Sequence, residues 1–165
     1  METCEKCGFS LDESRARQAG PEIVAGAIAL AQQLNSPNHD FATRRDPDTW
    51  SPLEYACHLR DVLIVQRERI LLGLRVDRPA PQMMGAEDRG YYDGYSEQNP
   101  SDVGRQMTEM ARLLAHMMGR ISDAEWGRRV RFIGFDPEER TLAWVAVDTW
   151  HEMRHHTIDI ERQLR

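Results

Sequence analysis

Lysine is almost absent from this sequence. Lys6 is the only one, so arginine supplies nearly all of the 21 basic residues, a bias that points to a GC-rich genome rather than to chemistry. Acidic residues number 27 and the net charge is −6, which argues against a general nucleic-acid binder. No apolar run approaches the roughly 20 residues of a membrane span. The opening Met1-Glu-Thr-Cys-Glu-Lys-Cys has neither the basic start nor the apolar stretch of a secretory signal. A cytoplasmic protein with no nucleic-acid and no membrane partner is therefore expected. Three unevenly spaced cysteines are too few for a disulfide scaffold. The 165 residues suffice for one domain with its own core.

Two of those cysteines form Cys4-x-x-Cys7, followed by Gly8. This is half of a zinc knuckle without its second half. The leading expectation is a pair of reduced thiols in a loose N-terminal segment, residues 1–19. A small second metal site that borrows Cys57 or a histidine stays open, as does a redox pair, although no βαβ pattern surrounds the motif.

Residues 20–165 carry four helical patterns and no convincing strand. The first follows Gly20-Pro21, has the stripe Ile23, Ala27, Leu30 and Leu34, and should stop near Asn35-Ser36-Pro37. The second opens on Ser51-Pro52-Leu53-Glu54, a serine cap with proline in the first turn and glutamate closing a capping box. It runs to about Gly73, with His58, Val62, Val65 and Leu72 on one stripe. Residues 75–100 form a long connection rich in proline and glycine, whose Tyr91-Tyr92-Asp93-Gly94-Tyr95 serves either as pocket lining or as surface packing. The third helix opens near Ser101-Asp102 and repeats Val103, Met107, Met110, Leu114, Met117 and Ile121. Ser122-Asp-Ala-Glu125 repeats the capping pattern. The fourth runs from Thr141 almost to Arg165, with Trp144, Val147, His151, His155 and Ile158 on a broad stripe. The fold class is all-α, a four-helix bundle with one long connection.

The fourth helix contains His151-Glu152-Met-Arg-His155-His156. His151 and His155 are four residues apart, about 40° around a helix, so both rings can grip one ion. The string also spells the H-E-x-x-H of zinc proteases. A metzincin would continue with glycine and histidine where this chain has Ile158 and Glu161, and no strand scaffold is evident, so proteolysis is set aside. A helix pair supplies two ligands where catalytic zinc usually takes three. His58, inward on the second helix, is the expected third. Glu54 and Asp61, one turn either side of it, could orient an imidazole. Glu152 and Asp61 are the candidate acid–base helpers, with an orienting or surface carboxylate as the alternative for Glu152 and an interhelical salt bridge as that for Asp61. His156 lies about 140° from His151 and is excluded as its co-ligand. His39 and His116 read as solvated, and Cys57 as a small packed residue.

Trp50-Ser51-x-x-Glu54-x-x-x-His58-x-x-Asp61, followed by Trp150-His151-Glu152-x-x-His155-His156-x-x-Asp159-Ile160, resembles the DinB/YfiT-like superfamily of small bacterial metalloproteins. The resemblance implies a four-helix bundle with one divalent metal, held by position at His58, His151 and His155. Zinc is the first expectation, with nickel or iron as alternatives. Some relatives replace one of the paired histidines by glutamate, whereas this chain is expected to keep both. The superfamily includes S-transferases that use mycothiol, bacillithiol or glutathione, and maleylpyruvate isomerases.

The expected function is transfer of a low-molecular-weight thiol to an electrophilic small molecule, the thiol being a co-substrate. One alternative is a hydrolase of a small ester or amide, in which the metal activates water and Glu152 or Asp61 assists. The other is a non-enzymatic, metal-stabilised binding module. A homodimer is compatible with the sequence.

Overall fold

The computed structural model describes residues 2–134 and 138–165. Four long helices form the bundle: α1 (Ala16–Leu34), α2 (Pro52–Arg75), α4 (Pro100–Met118) and α6 (Leu142–Gln163). Two short helices, α3 (Ala86–Tyr92) and α5 (Asp123–Trp126), lie in the connections. Two small antiparallel hairpins complete the described residues, β1 (Glu2–Thr3) with β2 (Ser10–Leu11) and β3 (Arg129–Arg131) with β4 (Glu139–Thr141). No helix among the described residues is long and apolar enough to cross a membrane.

The helix starts follow local chemistry. Ser51 caps α2 through the Glu54 amide, while the Glu54 carboxylate accepts from the Ser51 N–H at 2.7 Å. Ser122 and Glu125 repeat this box at α5, and Thr141 caps α6 through Trp144. The first helix differs from expectation: it begins at Ala16, so Pro21 falls within it rather than at its start. A short 3-10 turn, Glu13–Arg15, feeds the chain into it from the β1–β2 hairpin.

Around the bundle the order is α1, α4, α2, α6, with α1 packed on α4 and α6 and α2 packed on the same two. The connection 76–99 joins neighbours, whereas 35–51 and 119–141 also have to be long because they cross the diagonal. Tyr95 of the 76–99 connection is fully buried, while Tyr91 and Tyr92 are exposed. Of the expected α2 stripe, His58 and Val62 are buried and Val65 and Leu72 only half-buried; the buried face continues instead through Leu59, Leu63, Gln66 and Ile70. This topology sets α6 between α1 and α2, and His58 of α2 against it.

Close approach of α1 to α4 depends on glycine. A Cβ on Gly104 would stand 3.0 Å from the Ala31 Cα and 3.1 Å from its Cβ, contacts with a backbone that cannot yield. Gly104→Val should therefore destabilise the fold by about 1–3 kcal/mol through overpacking. Thermal or denaturant unfolding measures this, and Gly127→Ala, whose nearest contact would be 3.5 Å away, serves as the neutral comparison.

Candidate metal centre

Rotation of α6 decides what each of its histidines meets. Its core-facing residues are Leu142, Ala146, Thr149, Met153 and Ile160, all buried. At 100° per residue, His151 and His155 each lie about 160° from Met153, away from that stripe. Glu152 and His156 lie about 60–100° from Met153, on the flank that meets His58 of α2. His156 is thus beside the core stripe, and His151 and His155 lie nearly opposite it.

Four overlapping groups of ligand-type side chains result among the described residues, and two of them join α6 to another part of the chain. Donor atoms of His58, Glu152 and His156 all lie within 4.8 Å of one another. Glu152 Oε2 is 3.7 Å from His58 Nε2 and 3.5 Å from His156 Nε2. Two nitrogens and an oxygen around an ion at about 2.1 Å would stand about 3.4 Å apart, so little movement is needed. Cys4, Cys7, His151 and His155 form the other group, again within 4.8 Å, with Cys4 Sγ 3.5 Å from His155 Nδ1. The expected trio is divided: among the described residues, no converging group contains His58 with His151 or His155.

Two aspartates stand behind these rings. Asp159 Oδ2 accepts from His156 Nδ1 at 3.0 Å and lies 3.5 Å from His155 Nε2. This leaves His156 Nε2 and His155 Nδ1 turned to their respective groups. Asp148 Oδ1 is 3.9 Å from His151 Nδ1, leaving a His151 Nε2 that is buried without a hydrogen-bond partner among the described residues. Carboxylates that fix the tautomer and orientation of ligand imidazoles are a regular part of metal sites.

Electrostatics place one negatively charged donor in each group, Glu152 and Cys4. Burial would raise the Glu152 carboxyl, but hydrogen bonds from His156 and His58 outweigh it and hold the group well below the usual carboxylate range. His151 is raised to about 9, first by Asp148, against burial, and then by the Cys4 and Cys7 thiols. Cys4 is lowered to about 6, first by the Cys7 backbone N–H and then by His151. Metal-ligand chemistry requires the thiolate and carboxylate in these forms, and it requires the raised His151 imidazole to give up its proton when an ion binds.

The His58 group is walled by aromatic rings. Trp50 lies 5.3 Å from the His58 ring, and Tyr55 stacks on His156 at 5.0 Å. The side chains of His58, Glu152 and His156 are 10%, 29% and 19% exposed, so the group is not sealed from solvent.

The other candidate residues have different partners. Asp61 is buried and accepts from Arg60 Nε at 2.8 Å and from Tyr95 O–H at 2.6 Å. It belongs to none of the converging groups, and its bond from Tyr95 ties the 76–99 connection to α2. Glu54 is engaged by the Arg44 fork at 2.8 and 2.7 Å and by Ser51, not by an imidazole. Cys57 is fully buried, and burial pushes its thiol up to about 12. His39 and His116 are exposed. His156, excluded by its angle as a co-ligand of His151, is four residues from Glu152 and joins it instead, the same spacing as His151 and His155 shifted by one.

Asp61→Ala should cost about 3–5 kcal/mol by stranding the buried Arg60, without lowering the metal content. Denaturant unfolding and metal analysis of the same preparation check both parts. In the folded, metal-free protein, Cys4 and Cys7 should react with a thiol reagent at neutral pH, and Cys57 only after denaturation.

Residues 26–158 match the family model described as the DinB superfamily. The fold is similar to that of "YfiT from Bacillus subtilis", a protein described as "a probable metal-dependent hydrolase with an unusual four-helix bundle topology". Identity is 17% and the TM-score 0.73, over 99% of this chain and 91% of that one, a likeness that concerns the fold. No curated protein matches the sequence. His58 and all the α6 donors lie within the family match, and Cys4 and Cys7 lie outside it. The chain belongs to the DinB superfamily.

Proposed function

We propose that the chain is a metal-dependent enzyme acting on a small molecule, with its ion held by His58, Glu152 and His156 and water as the nucleophile. The donor set carries this reading: two imidazoles and one carboxylate converge, with no fourth protein donor in the group among the described residues. Structural zinc sites are filled by four protein ligands, whereas catalytic sites leave a position open, and two histidines with a glutamate is one of the hydrolytic sets. A divalent ion bound there would lower the pKa of a water or thiol and polarise a carbonyl.

The chain's own residues supply the rest. Asp159 holds the His156 ring with Nε2 forward. Trp50 and Tyr55 restrict approach to the donors and keep their surroundings dry on two sides. A recess lined by Arg44, Trp50, Glu87 and Tyr91 begins beside Trp50 and offers room for the distal part of a substrate. Glu152 takes the part of a ligand in this reading and not that of a base. Transfer of a low-molecular-weight thiol is the second reading, favoured by superfamily membership and by the Trp50-to-Asp61 motif. The thiol would then occupy the position of water.

Purified zinc-loaded protein should hydrolyse small esters or amides without added thiol. Glu152→Gln and His156→Ala should each lower kcat/KM at least about 100-fold, the larger end of what a perturbed metal site loses. Turnover that requires a thiol replaces hydrolysis by S-transfer. Activity untouched by either substitution contradicts the site.

A further inference from the structure

We infer that Cys4, Cys7, His151 and His155 form a second metal site, a closed Cys2His2 zinc centre that fastens the N-terminal hairpin to α6. All four donor atoms lie within 4.8 Å of one another. A tetrahedron with Zn–S of about 2.3 Å and Zn–N of about 2.0–2.1 Å has a sulfur-to-nitrogen edge of about 3.6 Å. Cys4 Sγ and His155 Nδ1 are 3.5 Å apart. Two thiolates with two imidazoles select zinc over the harder ions that carboxylates and water suit.

The backbone around the cysteines has the form of a metal knuckle. Gly8 N–H donates to the Cys4 carbonyl at 2.8 Å, and Cys4 N–H donates to the Phe9 carbonyl at 2.9 Å. Gly8 takes φ +69° although nothing lies within 4 Å of where its Cβ would be, so its backbone angle and not its size is what the turn requires. On the helix side, Asp148 and Asp159 stand behind the two imidazoles, and the buried His151 Nε2 lacks a hydrogen-bond partner among the described residues.

The hairpin also needs such a fastening. Its paired strands are two residues each, and a hairpin of that size is not stable by itself. Its apolar anchor is Phe9, which packs edge-on against Trp150 at 5.0 Å and tilts over His151 at 5.5 Å. Four ligands from two distant parts of the chain would close residues 4–155 into one cross-linked unit. This site has no place for substrate and shares no ligand with the open group at His58.

Cobalt(II) loaded into the full-length, reduced protein is the probe. Only a site containing sulfur gives a thiolate-to-cobalt charge-transfer band, so the His58 group cannot produce one. The band is expected in the wild type, in Cys57→Ser and in Glu152→Ala, and should be lost in the double variant Cys4→Ser/Cys7→Ser. The double variant should also lose about one zinc ion per chain. Absence of the band from the folded, reduced wild type, or its survival in the double variant, overturns the inference. A wild type that lacks the band and carries a Cys4–Cys7 disulfide overturns it in favour of a redox pair. X-ray absorption of the wild-type zinc protein needs no variant: a shell containing sulfur supports the site, and a shell of nitrogen and oxygen alone overturns it.

Discussion

The angular offset between adjacent residues on α6 is the constraint on which the candidate chemistry depends. A step of about 100° separates His151 from Glu152 and His155 from His156. One four-residue spacing, repeated one residue later, therefore presents two ligand pairs in different directions. One pair meets His58 across the α2 flank, and the other meets the cysteines of the hairpin. The core stripe through Met153 fixes the rotation, because turning the helix would carry Leu142, Ala146 and Ile160 out of the interior.

The bundle order makes both meetings feasible. With α2 and α1 on opposite sides of α6, one neighbour brings His58 and the other brings the chain segment that precedes α1. That segment reaches α6 through the 3-10 turn at Glu13–Arg15, and Arg15 lies over the Trp150 ring at 4.2 Å. Asp159 touches rings of both groups, His155 and His156. Whatever orders one group therefore helps to orient the other. A closed site beside an open one separates two tasks, holding the helix and leaving a coordination position for chemistry.

Much of the fold was legible in the sequence. The Ser51–Glu54 and Ser122–Glu125 boxes located two helix starts by local hydrogen bonding, and Thr141 located a third. The start of α1 was misplaced because Pro21 reads as a first-turn residue, whereas the 3-10 turn before Ala16 starts the helix earlier. The two hairpins were missed because strands of two or three residues leave no alternating pattern. At the candidate site, the residue types were visible and their grouping was not. His58, Glu152 and the histidines all stood out, but a broad apolar stripe on α6 permits several rotations, and the one through His151 and His155 was favoured over the one through Met153. The Cys4-x-x-Cys7 motif held the missing information: two thiols without partners and a histidine pair without a third ligand complete each other. A contact 151 residues apart in the chain leaves no local periodicity to read.

The central claim is that α6 serves two separate metal sites. Anomalous diffraction from crystals of the zinc-loaded protein, recorded on both sides of the zinc absorption edge, tests it most directly. The account predicts two peaks, one among His58, Glu152 and His156 and the other among Cys4, Cys7, His151 and His155. A single peak shared by His58, His151 and His155 would contradict it.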